Sequence, residues 1–131
     1  MTKQLCHSNT SVYNIGYHIV FCPKYRRKIL VGCRAERMKK LLFRKSYELN
    51  ITIQEIEVMP DHVHLFIKAK PFHSIDVIVK HLKGFSSYML RREFPEISYY
   101  KTLWTKGYFV ESCGCISEDT IKRYINNQWN K

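Results

Sequence analysis

Long apolar runs are missing from this chain. No stretch approaches the roughly 18 consecutive apolar residues that a membrane span requires. The amino terminus, MTKQLCHSNT, also lacks the apolar block of a secretory signal. Glycine and proline are few, at five and four, and 45% of residues are hydrophobic. That composition excludes a disordered or collagen-like chain. The five cysteines are odd in number, and the CxC at Cys113 and Cys115 has no second pair at zinc-site spacing. Free thiols in an intracellular, cytoplasmic protein are therefore expected. No repeat, low-complexity segment or linker divides the 131 residues, so residues 1–131 read as one domain with a single modest core.

Negative charge is scarce as well. Eleven Asp and Glu stand against 22 Lys and Arg, a formal net charge of +11. A small domain this basic usually meets a polyanion. Nucleic acid suits it better than a membrane, because no basic helix carries a broad apolar face opposite its cations. The densest basic cluster is Lys24, Arg26, Arg27 and Lys28, suited to phosphate contacts at a strand end. Tyr25, in its midst, could stack on a base. Further cations from Arg34 to Lys45 charge a helical segment, where a merely solvated face accounts for part of them.

Hydrophobic periodicity supplies the architecture. Residues 12–22, 51–58, 62–69 and 107–113 are rich in β-branched and aromatic types and read as strands. Residues 33–49 place Ala35, Met38, Leu41, Leu42 and Leu49 at near-helical spacing, and Asn50 stops them. Ser74 can cap a helix over 75–92 whose stripe is Ile75, Ile78, Val79, Leu82, Phe85 and Met89. Ser117 can cap a closing helix. The order β-α-β-β-α-β predicts an α+β, ferredoxin-like antiparallel sheet with two helices on one face and an added C-terminal helix.

The third strand carries an unusual pair. In MPDHVHLF, His62 and His64 alternate with Val63 and so emerge on one face behind a Pro60-Asp61 turn. Two neutral imidazoles there can grip a divalent cation, although an HxH alone is more often met on an ordinary sheet face. In the closing helix Tyr124 and Gln128 stand four apart and share a face. Taken together these groups suit phosphodiester cleavage. A metal would neutralise the phosphate, Gln128 would add an oxygen ligand, and Tyr124 would attack phosphorus. A tyrosine–phosphate link keeps the energy of the bond for later resealing, which hydrolysis would lose.

Four blocks in order extend the pattern: YHIVFCPKYRRKIL, MPDHVHLFI, LWTKGYFVESCG and IKRYINNQ. Over nearly its whole length the chain resembles the single-tyrosine HUH transposases, TnpA, of the insertion-sequence 200/605 family. The resemblance implies Tyr124 as nucleophile, with His62, His64 and Gln128 as ligands of Mg or Mn and no nucleotide cofactor. It implies cleavage and rejoining of single-stranded DNA at element ends marked by hairpins, in a prokaryotic nucleoid. It also implies a homodimer in which the tyrosine helix of one subunit completes the histidine site of the other. Rival readings are a non-catalytic RNA- or DNA-binding module on the same sheet and a housekeeping relative that processes genomic repeat hairpins. A phosphodiesterase with paired H-x-T/S motifs would need a second such motif, and only one HxH is present.

Overall fold

The computed structural model describes residues 14–114. The start of the expected first strand, the closing helix behind Ser117, Tyr124, Gln128 and Cys115 lie outside the described residues. Within them run β1 (Ile15–Phe21), α1 (Cys33–Glu48), β2 (Thr52–Met59), β3 (His62–Ala69), α2 (Ile75–Glu93) and β4 (Phe109–Gly114). The strands form one antiparallel sheet in the order β2-β3-β1-β4. This is the ferredoxin-like α+β arrangement expected from the element order, with small shifts at the element ends.

The strand pleat sorts side chains into two layers. Tyr17, Ile19 and Phe21 of β1 lie opposite Ile67, Leu65 and Val63 of β3, and β2 brings Ile53, Ile56 and Val58 to the same three. Met38, Leu41 and Leu42 of α1 and Ile78, Val79, Leu82 and Leu90 of α2 close over that face in one core. Fully burying each such side chain is worth about 1.5–3 kcal/mol. The apolar alternation of β2 changes phase between Ile53 and Ile56, and a β-bulge between Ile53 and Glu55 absorbs the change. Without it Ile56 and Val58 would face water.

Caps fix the helix ends. Gly32 precedes α1 at φ 57°, ψ −129°, a conformation that L side chains resist. Asn50 ends that helix region in the left-handed conformation, φ 60°, as its short polar side chain allows. Ser74 Oγ accepts the Val77 N–H at 3.4 Å at the start of α2. The buried stripe of α2 departs from the expected one in its second half. Ser86 and Ser87 are buried, while Phe85 and Met89 pack only at the edge of the core. The reason is Trp104. Its Nε1–H donates to Ser86 Oγ at 3.1 Å and its ring meets Phe21 edge-on at 4.5 Å. A small hydroxyl residue leaves room for the indole and supplies its acceptor.

The segment before β4 is thereby tied down rather than loose. Thr105 N–H donates to Cys22 O at 2.9 Å, and Lys24 N–H to Leu103 O at 2.8 Å. Lys83 Nζ donates to the carbonyls of Thr105 (2.8 Å), Lys106 (3.3 Å) and Gly107 (2.9 Å).

Candidate active site

The opposite face of the sheet carries polar and titratable groups. Across it Glu57, His64, Val20 and Phe109 form one transverse row, and Glu55, Phe66, His18 and Glu111 the next, with His62 opposite Met59. His62 and His64 therefore share a face, their ring centroids 5.0 Å apart. The turn before them is tight: Met59 pairs with His62, and neither Pro60 nor Asp61 takes positive φ. That excludes the turn types that need positive φ at a central position.

Each histidine is held through Nδ1. His62 Nδ1 lies 2.8 Å from Asp61 Oδ1, and Asp61 Oδ2 accepts from Arg26 Nη2 at 3.1 Å. The His62 bond, followed by the Arg26 charge, keeps the Asp61 carboxyl below the usual carboxylate range. An ionised carboxylate only accepts, so His62 carries a proton on Nδ1, which leaves Nε2 as the ring nitrogen able to act as a ligand.

His64 Nδ1 lies 2.9 Å from His18 Nε2, with the two rings stacked at 5.1 Å. His18 is 5% exposed, wedged between the rings of Phe66 (5.8 Å) and Phe109 (6.1 Å). Burial, then the neighbouring His18 and His62, lowers His64 to about 4. His18 is lowered by burial too, opposed in part by Glu111. Both are neutral near pH 7, so one ring donates and the other accepts. Glu111 Oε1 stands 4.0 Å from His18 Nδ1 and favours the proton there. His18 Nε2 is then the acceptor and His64 Nδ1–H the donor. His62 and His64 are thus both contacted at Nδ1 rather than Nε2.

His18 is the residue that sequence reasoning missed. Its place in YHIVF shows strand parity, but only the β1–β3 register brings it beside His64. The two imidazoles fit part of the donor set of a divalent ion. Among the described residues no three His, Cys, Asp or Glu side chains gather to hold one. Cys113 does not add a ligand readily: burial, then Glu111, pushes its thiol up to about 11.

A family model for IS200-like transposases matches residues 11–128. The chain belongs to the IS200-like transposase family. It is 35% identical over 126 residues to the ISDra2 transposase TnpA of Deinococcus radiodurans, spanning 92% of this chain and 88% of that protein. A crystal structure of a candidate transposase from Deinococcus radiodurans R1 superposes with a TM-score of 0.74 at 34% identity, covering 93% of this chain and 96% of that one. The REP-associated tyrosine transposase bound to a REP hairpin shares the fold at a TM-score of 0.63 and 12% identity, covering 88% of this chain and 68% of that one. Family membership makes this chain a DNA transposase. No described helix is long and apolar enough to cross a membrane.

The basic loop of this transposase adjoins the histidine pair. Arg26 reaches Asp61, and Arg27 lies over the Tyr25 and Tyr100 rings at 4.9 and 4.3 Å. Lys24 stands 5.6 Å from the Tyr25 ring centre. The cations of α1 are differently employed: Arg37 pairs with Glu93, Lys39 with Glu36, and Arg44 and Lys45 with Glu48. The loop has one such pair, Arg26 with Asp61, so α1, with four cations paired, is the weaker candidate for phosphate contacts. Cys22, Cys33 and Cys113 are free thiols, as expected.

Proposed function

We propose that this transposase cuts and rejoins single-stranded DNA through Tyr124, at a site built on His62 and His64. The observation that carries the reading is the matched Nδ1 contact of the two histidines, one to Asp61 Oδ1 and the other to His18 Nε2. Such an arrangement suits an Mg or Mn ion with Gln128 as a further ligand. An ion bound there supplies charge neutralisation and orientation of the phosphate.

The tyrosine step balances without any nucleotide cofactor. Tyr124 loses its phenolic proton and its oxygen bonds to phosphorus. The bond from phosphorus to the 3′ oxygen breaks, and that oxygen gains a proton. The phosphate remains joined to Tyr124 and to the 5′ oxygen of the downstream strand. Attack by a 3′ hydroxyl reverses the step and reseals a strand. Lys24, Arg26, Arg27 and Lys28 hold the flanking phosphates. Hairpins at the element ends are the expected recognition elements, in keeping with the hairpin-bound relative of the same fold. A homodimer sharing its tyrosine helices completes the proposal.

A covalent-trapping gel tests it. Labelled single-stranded DNA from an element end is incubated with the full chain and Mg or Mn, with chelator, or with the Tyr124→Phe variant. The expected result is a metal-dependent adduct that survives denaturation and vanishes in the variant. Bound DNA without an adduct would favour a binding module. An adduct that persists in Tyr124→Phe would keep the reaction class and move the nucleophile elsewhere.

A further inference from the structure

Beyond its phosphate contacts, the basic loop presents aromatic surface in a conformation that folding alone does not favour. Tyr25 and Arg26 both take left-handed backbone angles, φ 61° and 52°, although neither is glycine. Such strain persists where the surroundings over-determine it, and it clusters at functional loops. Here the surroundings are the Lys24 N–H bond to Leu103 O at 2.8 Å, the Arg26 N–H bond to Pro23 O at 2.8 Å and the Pro23–Trp104 bridge. The result is a Tyr25 ring left 75% exposed on a fixed backbone.

The ring does not stand alone. Arg27 lies between Tyr25 and Tyr100, and Tyr99, also 75% exposed, meets Tyr100 edge-on at 4.6 Å. Arg91 Nη1 fixes the backbone of Tyr100 by donating to its carbonyl at 2.8 Å. Arg26, next to Tyr25, reaches Asp61, which holds His62. We propose that Tyr25, Arg27 and Tyr100 form a stacking platform for unpaired bases of single-stranded DNA beside the cleavage site. The proposal rests on the strand-processing role given above. Single strands fit because their bases expose π-faces to rigid rings while cations take the adjoining phosphates. In duplex DNA those faces are hidden within the stack.

The test compares two fluorescent probes of equal length, about 16 nucleotides, the upper end of a typical single-strand site. One is oligo(dT), the other its abasic sugar-phosphate analogue. Binding by the full-length protein is read by anisotropy, with melting measured in parallel. Tyr25→Ala is expected to weaken oligo(dT) binding about tenfold and to leave abasic binding unchanged, whereas Tyr25→Phe keeps both. Tyr25→Gly is the sharper variant. Glycine adopts positive φ freely, so the melting temperature should hold or rise while oligo(dT) binding falls about tenfold as in Tyr25→Ala. A purely structural tyrosine would not show that split.

Equal loss on both probes, no loss on oligo(dT), or a wild type that binds the two probes alike would overturn the platform. The trapping gel separates this from failure of the broader reading. A Tyr124-dependent adduct with no base preference at Tyr25 sinks the platform alone. Absence of any adduct together with loss of all single-strand binding sinks both.

Discussion

His62 is held from the water side and His64 from within the sheet. Asp61, the support of His62, is the adjacent residue, half-buried in the turn and shared with Arg26. The support of His64 is His18, 46 residues distant in sequence, 5% exposed and walled by Phe66 and Phe109. Both contact Nδ1, but by different physics. In the turn a charge acts through a solvated bond, and water can stand in for it. In the sheet a neutral ring acts through burial, at a place with little solvent to stand in for it. The first support should therefore be tunable and the second brittle.

The largest effect expected is loss of the pair itself. His62→Ala or His64→Ala should abolish the covalent adduct while leaving hairpin binding, measured by gel shift, mostly intact. Equal loss of both would point to misfolding and break the assignment. Next comes His18→Phe. Phenylalanine retains the ring between Phe66 and Phe109 but removes the partner of His64 Nδ1. Outer supports of this kind are worth about 10–100-fold in metal affinity, so Mn binding followed by electron paramagnetic resonance should weaken within that range. His18→Ala should show the same weakening and in addition destabilise the fold, by about 2–5 kcal/mol in urea melts, through the cavity it leaves. If His18→Phe binds Mn normally, His18 is merely packing.

Asp61→Ala should fall at the low end of that range, about tenfold in Mn affinity. Its stability should move by no more than about 0.5 kcal/mol, because the turn is solvated. Asp61→Asn retains an acceptor for His62 Nδ1–H and should recover part of the affinity. If Asp61→Ala costs as much stability as His18→Ala, the two supports are not physically different.

The same contrast decides what could be read beforehand. HxH parity, the Pro60-Asp61 turn and the helix stripes are local, and the sequence shows them. So is the phase change between Ile53 and Ile56 that marks the bulge, visible once strand alternation is counted residue by residue. His18 is different: its parity is legible, but its neighbour depends on which strands pair and in what register. Ser86 is another such case, because a serine in a helix announces no buried tryptophan until Trp104 folds back onto it. Arg37, Lys39, Arg44 and Lys45 of α1 looked like the cations of the basic loop by composition, yet each has a carboxylate partner on α1 or α2. Tyr124 and Gln128 rest on the sequence pattern alone, since they lie outside the described residues.

The smallest effect belongs to the helix layer, far from this chemistry. Arg37 binds Glu93 through two bonds, 2.7 and 2.9 Å, joining α1 to the end of α2. The Arg37 bond holds the Glu93 carboxyl below its usual range. A depressed carboxylate stabilises the fold fully above its unfolded value, about 4.3, and the contribution fades as pH falls through the lower folded value. With side chains 35% and 30% exposed, solvent screens the pair, and about 0.5–1 kcal/mol is the expected worth. Glu93→Gln should therefore lower the melting temperature by about 2–4 °C near neutral pH. The difference from wild type should shrink as acid protonates Glu93, while Mn affinity at neutral pH stays unchanged. A gap that persists undiminished in acid would mean that shape, not charge, joins the two helices. The charged supports of this fold would then be confined to the histidine face.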